Sequence, residues 1–121
     1  MSDVDSARQR LLEAYSHATV VMVRSDEPDL TDRQKSVLLK VYLDEEAQTV
    51  RGLAIYANIS KPAVTRALDR LTEFDLVRRK TDPNDRRSVL VQRTIRGRTF
   101  LRRLSDVLLE AQQVKPKPKA A

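Results

Sequence analysis

Two adjacent guanidinium groups follow a tight turn in Asp82-Pro83-Asn84-Asp85-Arg86-Arg87-Ser88. Asp82 and Pro83 suit the first two positions of a type I turn, where proline's fixed φ costs nothing and an aspartate oxygen can accept from the turn's backbone. Arginines at such a tip, Arg86 and Arg87, can enter a narrow, electronegative minor groove of a DNA duplex. Asp82 and Asp85 can hold a neighbouring guanidinium through charge-assisted hydrogen bonds. The plain alternative is a salt-bridged surface turn worth under about 1 kcal/mol.

A second set of polar side chains opens the helix-like run after Asn58-Ile59-Ser60. Ser60, Lys61, Ala63, Thr65 and Arg66 occupy its first turns, with Arg70 one turn further along. In a helix-turn-helix the second helix enters the major groove and its first residues meet the base edges. Arg66 can pair bidentately with a guanine edge, which discriminates by about 1–3 kcal/mol. Lys61 suits a phosphate, and Ala63 or Thr65 a thymine methyl. An isolated arginine of this kind is more often part of a solvated helix face, but here the wing-like turn points the same way.

Other chemistries find little support. The carboxylates of Asp44-Glu45-Glu46 have no nearby histidine and no glycine-rich phosphate loop, so they read as a solvated helix end rather than acid–base machinery. With no cysteine and one histidine, the chain offers no disulfide, no thiol chemistry and no plausible metal site. The expectation is therefore no enzyme, no cofactor and no metal. No apolar run is long enough for a membrane span, and the acidic start lacks a signal peptide's pattern, so a soluble cytoplasmic protein with no membrane partner is expected.

Length and charge narrow the class further. At 121 residues, with 40% hydrophobic and only 4% aromatic residues, the chain suits one small aliphatic domain. The formal charge of +6 is localised, because residues 60–98 carry 11 Lys/Arg against 5 Asp/Glu. That segment holds both arginine sets, which favours a polyanion as partner.

The elements that must position these groups can be placed from periodicity. Residues 5–24 read as an amphipathic helix with Leu11, Ala14, Tyr15, Ala18 and Met22 on one stripe, broken by Pro28. Thr31-Asp32-Arg33-Gln34 is a capping-box pattern that starts a second helix with Val37, Leu38, Val41 and Tyr42 buried. Thr49 caps a short third helix, and Ser60 a fourth running to about Asp75 with Val64, Ala67, Leu68, Leu71 and Phe74 inward. Leu76 to Lys80 and Ser88 to Arg93 read as strands joined by a loop of about four or five residues. Residues 95–113 form a fifth helix carrying Phe100, Leu101, Leu104, Val107, Leu108 and Ala111. Residues 114–121 read as a disordered basic tail. The predicted fold is mainly α with a small β-hairpin, a winged helix-turn-helix with an extra helix at each end. Residues 1–113 form a single domain around a DNA-binding core at 31–94.

Residues 31–97 resemble the multiple-antibiotic-resistance regulator (MarR) family of bacterial transcription factors. The resemblance rests on Leu53-Ala54, Ile59-Ser60-Lys61-Pro62-Ala63-Val64-Thr65-Arg66-Ala67-Leu68-Asp69-Arg70-Leu71, Leu76-Val77-Arg78-Arg79, the Asp82 to Ser88 turn, and Thr94 with Gly97. It implies a homodimer whose terminal helices, 5–24 and 95–113, interlock as dimerisation helices. Each wing motif would then engage half of a near-palindromic operator in double-stranded DNA, usually to repress transcription. The implied contacts fall on Ser60, Lys61, Ala63, Thr65, Arg66 and on Arg86 or Arg87. Many members release DNA when a small anionic or phenolic effector binds. Tyr15, His17 and Arg24 are the candidates for a remnant effector cleft, although nothing in the residues themselves supports an effector. Arg93 stands where the family commonly has leucine. The family usually adds a helix after the fifth, so within this sequence a dimer rests on the first and fifth helices. The competing reading is a protein-interaction adaptor that retains a winged helix.

Overall fold

The computed structural model describes residues 2–113. Its elements are α1 (Asp3–Arg24), α2 (Asp32–Leu43), β1 (Gln48–Thr49), α3 (Val50–Ala57), α4 (Lys61–Glu73), β2 (Val77–Asp82), β3 (Asp85–Arg93) and α5 (Ile95–Gln113). The described chain divides into two compact units, one formed by Leu30–Phe100 and the other by residues 2–29 with residues 101–113. The expected tail at 114–121 lies outside the described residues. No described helix is long and apolar enough to cross a membrane.

In the unit Leu30–Phe100, side-chain caps fix where the helices start. Thr31 Oγ1 accepts from the Gln34 amide at 3.2 Å and Gln34 Oε1 accepts from the Thr31 amide at 2.9 Å, which completes the capping box. Thr49 and Ser60 cap α3 and α4 by accepting from the Gly52 and Ala63 amides. Each such cap stabilises its helix by about 1 kcal/mol. Asn58 closes α3 in the left-handed region at φ 52°, a conformation asparagine tolerates. It turns the chain into α4 within Asn58-Ile59-Ser60. At the far end α4 stops at Glu73, two residues earlier than its pattern suggests, because Asp75 turns left-handed at φ 57° and the Leu76 amide bonds back to the Leu71 carbonyl.

Val37, Leu38, Leu53, Val64, Leu68 and Leu71 are fully or almost fully buried and tie α2, α3 and α4 together. Leu76 and Val77 extend this core to the sheet. The sheet has the order β1-β3-β2, all antiparallel. β1 was not expected, since two residues are too few to show a period-2 pattern. The hairpin also departs from expectation, because both strands run further and only Pro83-Asn84 remain between them. Thr81 pairs with Val89 but Asp82 pairs with Asp85, so Arg86, Arg87 and Ser88 have no cross-strand partner and form a bulge.

Two polar contacts fasten α2 to the end of the hairpin. The Tyr42 hydroxyl donates to the Leu76 carbonyl at 2.7 Å and accepts from the Thr94 amide at 2.9 Å. Arg93 Nε donates to the Val41 carbonyl at 2.9 Å, and another guanidinium nitrogen reaches the Asp44 carbonyl. Arg93 thus caps the carbonyl end of α2. Next to it, the Lys40 ammonium lies 2.7 Å from the Asp44 carboxylate. That hydrogen bond holds the lysine above and the aspartate below its ordinary pKa.

In the other unit, α1 begins at Asp3, with Ser2 as its N-cap. Ala18, Val107 and Ala111 are buried together, with Ala14, Val21 and Met22 packed around them. Ala14, Ala18, Val21 and Met22 keep helical i, i+4, i+7, i+8 spacing. Leu11 and Tyr15 were expected on this stripe, yet they are 70% and 62% exposed. Tyr15 lies one residue, about 100°, from Ala14, and Leu11 lies nearly one turn before the stripe's first member. Leu108, one residue from Val107, is 44% exposed.

Candidate nucleic-acid interface

The buried stripe of α4 leaves Lys61, Thr65, Arg66, Asp69 and Arg70 exposed on the opposite side. Ser60 is exposed too, though its hydroxyl oxygen already accepts from the Ala63 amide at 3.1 Å. Ala63 is a correction. It is only 7% exposed, because it is adjacent to Val64 and one turn from Ala67 on the inward stripe. A methyl in that position packs the helix into the core, whereas Thr65 stays exposed.

Lys61 and Arg66 make no ion pair among the described residues. Their charges are available to a ligand. Arg70 is engaged differently, since its Nη1 lies 2.7 Å from Glu73 Oε2 and its guanidinium stacks 4.4 Å over the Phe74 ring. The same side of α4 reaches the hairpin through Arg79, whose Nη1 is 2.7 Å from Asp69 Oδ1. Arg78 is more loosely tied, with Nε 3.7 Å from Asp75 Oδ1.

At the hairpin tip the two aspartates divide the work. Asp82 Oδ1 accepts from the Asn84 amide at 2.8 Å, so it fixes the turn's backbone, and it pairs with no guanidinium among the described residues. Asp85 Oδ1 accepts from the Arg87 amide at 3.1 Å and lies 3.5 Å from the same residue's Nε. The Arg87 side chain is nevertheless 94% exposed. Arg86 makes no ion pair among the described residues. The bulge places both arginines outside the regular ladder, where a β-strand's fixed alternation does not dictate their direction.

The hairpin's base is set by a glycine. A Cβ added at Gly97 would collide with the Tyr42 hydroxyl and the Leu76 carbonyl. The Gly97 amide also donates to Thr94 Oγ1 at 2.9 Å, and that hydroxyl donates to the Asp75 carbonyl at 2.6 Å. Thr94 therefore bridges the left-handed turn after α4 to the start of α5.

The three residues considered for an effector cleft do not converge. At 3.6 residues per turn Tyr15 points about 160° away from His17 and about 180° away from Arg24. His17 is partly buried, and its Nε2 has no hydrogen-bond partner among the described residues. Sequence reading missed Asp69 as a partner of the hairpin. Its only signal was a carboxylate among the cations of the exposed α4 face.

Comparison with known proteins gives the same picture. The MarR family model matches residues 30–89. No curated protein matches the chain. Among solved structures, the transcriptional regulator PA4135 is 26% identical with a TM-score of 0.67, covering 93% of this chain and 80% of that one. A mutant of S. aureus MepR bound to an oligodeoxyribonucleotide is 20% identical with a TM-score of 0.77, with the same coverage of 93% and 80%. A mutant of E. coli MarR is 22% identical with a TM-score of 0.67, again covering 93% and 80%. The last two likenesses speak for the fold. With the helix-turn-helix and wing described above, residues 30–89 of this chain match the MarR family, whose members are winged-helix transcription regulators and not enzymes.

Proposed function

We propose that this chain is a sequence-specific, homodimeric DNA-binding regulator that represses transcription by occupying a near-palindromic operator. In this reading α4 enters the major groove and the β2–β3 hairpin reaches an adjacent minor groove. The observation that carries it is that Lys61, Arg66 and Arg86 make no ion pair among the described residues, within a segment of net charge +6 and beside arginines that carboxylates hold in place. Arg66 reads a base edge, Thr65 touches a methyl, and Ser60 and Lys61 contact phosphate. Arg86 and Arg87 supply the minor-groove contacts, and Arg70, braced by Glu73 and Phe74, lies at the border of the α4 surface.

The dimer is supported by apolar surface that the single chain leaves open. Leu11, Leu12, Tyr15 and Val23 on α1 and Leu109 on α5 are each more than half exposed. Such a concentration of exposed apolar side chains is what an interface between copies covers. The MepR mutant crystallised with an oligodeoxyribonucleotide shows that a protein of this fold binds DNA, which makes a duplex the natural ligand to test here.

DNase protection on the sequence upstream of the chain's own gene tests this function. The expected result is a protected region with two-fold symmetry and half-sites about one helical turn apart. A protected region without symmetry, or none, contradicts it.

A further inference from the structure

The C-terminal end of α2, the acidic loop that follows and α3 frame an open groove of about 600 Å³. Leu39, Leu43 and Tyr56 supply its apolar lining, and Asp44, Glu45 and Glu46 its charge. Leu43 is 78% and Tyr56 59% exposed, an unusual exposure for residues of this size so close together on one lining. Lys40, also in the lining, sits 4.4 Å over the Tyr56 ring and 2.7 Å from Asp44. Its single charge is thereby spent on Asp44. Glu45 and Glu46 make no ion pair among the described residues.

This combination selects the class of occupant. Two unpaired carboxylates repel a phosphate backbone, so the groove is not part of the DNA-binding surface. An open groove cannot enclose most of a small ligand's surface, as small-molecule sites do. A polypeptide segment needs no enclosure, and cationic side chains spaced by aliphatic ones match both halves of the lining. We propose that this groove is a docking surface for a basic, leucine-bearing segment of another protein, with its guanidinium groups on Glu45 and Glu46 and its aliphatic side chains over Leu43 and Tyr56. It thus provides a protein contact separate from the arginine-bearing surface of α4 and the hairpin, and does not depend on the DNA reading.

The test uses the intact protein and fluorescein-labelled Arg-Leu-Arg-Leu-Arg, followed by anisotropy. The companion probe Arg-Gly-Arg-Gly-Arg has the same charge without the aliphatic groups. The expected result is saturable binding of the leucine peptide, at least tenfold tighter than the glycine peptide. The double variant Glu45→Lys/Glu46→Lys and the single variant Tyr56→Ala are each expected to weaken it at least tenfold, while Tyr56→Ala leaves DNA affinity within threefold. A difference under tenfold between the peptides, or a loss under tenfold in either variant, overturns the proposal by reducing the groove to a counterion site. Absence of binding overturns it outright. Sedimentation of Leu43→Glu supplies the remaining outcome, since loss of self-association would make the groove a contact between copies of this chain and would also overturn the proposal.

Discussion

Arg79 Nη1 lies 2.7 Å from Asp69 Oδ1, joining the first strand of the hairpin to the exposed side of α4. Asp69 is a carboxylate on a face otherwise suited to polyanions, and this pairing explains why it is tolerated there. It cancels the charge that phosphate would meet and fixes the spacing between the helix and the hairpin. A double-mutant cycle of Asp69→Ala and Arg79→Ala in urea unfolding is expected to show a coupling of under about 1 kcal/mol, as both groups remain partly solvated. DNA affinity is expected to fall more in Arg79→Ala than that small stability loss explains, because the hairpin loses its tether to α4. Equal stability and affinity losses would contradict the tethering role.

Substitution of Gly97 probes the hairpin's base. Gly97→Ala is expected to destabilise the protein by about 1–3 kcal/mol, since its Cβ overpacks against the Tyr42 ring and the Leu76 carbonyl. Tyr42→Phe is expected to cost about 1–3 kcal/mol by leaving the Thr94 amide without its partner. Thermal unfolding of both variants checks this, and a neutral Gly97→Ala would mean that α5 starts elsewhere.

Acid stability has a defined sign. Asp44 is held below its ordinary pKa chiefly by its hydrogen bond with Lys40, so it stabilises the fold above the unfolded carboxylate pKa. That contribution is lost as pH falls through the lower, folded value. Lys40, held above its ordinary pKa, contributes below the unfolded lysine pKa and loses its contribution as pH rises through the folded one. Asp44→Asn is therefore expected to flatten both the acid and the alkaline limbs of a urea-unfolding series. Unchanged limbs would show that the pair adds nothing to stability.

Two arginines are expected to fail in different ways. Arg66→Ala is expected to relax base preference at one position of each half-site by about 1–3 kcal/mol. Arg86→Ala is expected to lower affinity for all sequences and reduce the salt slope by about one. Binding-site selection with each variant distinguishes the roles, and an unchanged preferred sequence in Arg66→Ala would rule out its base-reading assignment.

Local signals made much of the Leu30–Phe100 unit legible in advance. Thr31 with Gln34, Ser60 with Pro62, and the Val64-Ala67-Leu68-Leu71 stripe each specify structure within one helical turn. Contacts between distant residues were not legible. The Arg79–Asp69 pair, the Arg93 cap on α2 and the Tyr42–Thr94–Gly97 junction depend on tertiary placement that no periodicity encodes. Ala63 was misplaced because alanine suits either side of a helix. The α1 stripe was misread because leucine and tyrosine outrank alanine in any hydrophobicity count, whereas the packing around Ala18 uses small side chains.

The most direct test of the central claim is fluorescence-anisotropy binding of the intact protein to a labelled fragment from upstream of its own gene, against scrambled DNA, across a salt series. The account predicts a preference for the native fragment of about a hundredfold or more with a steep fall in affinity as salt rises. Equal affinity for both fragments would contradict sequence-specific regulation, and no binding at low salt would contradict the DNA-binding role itself.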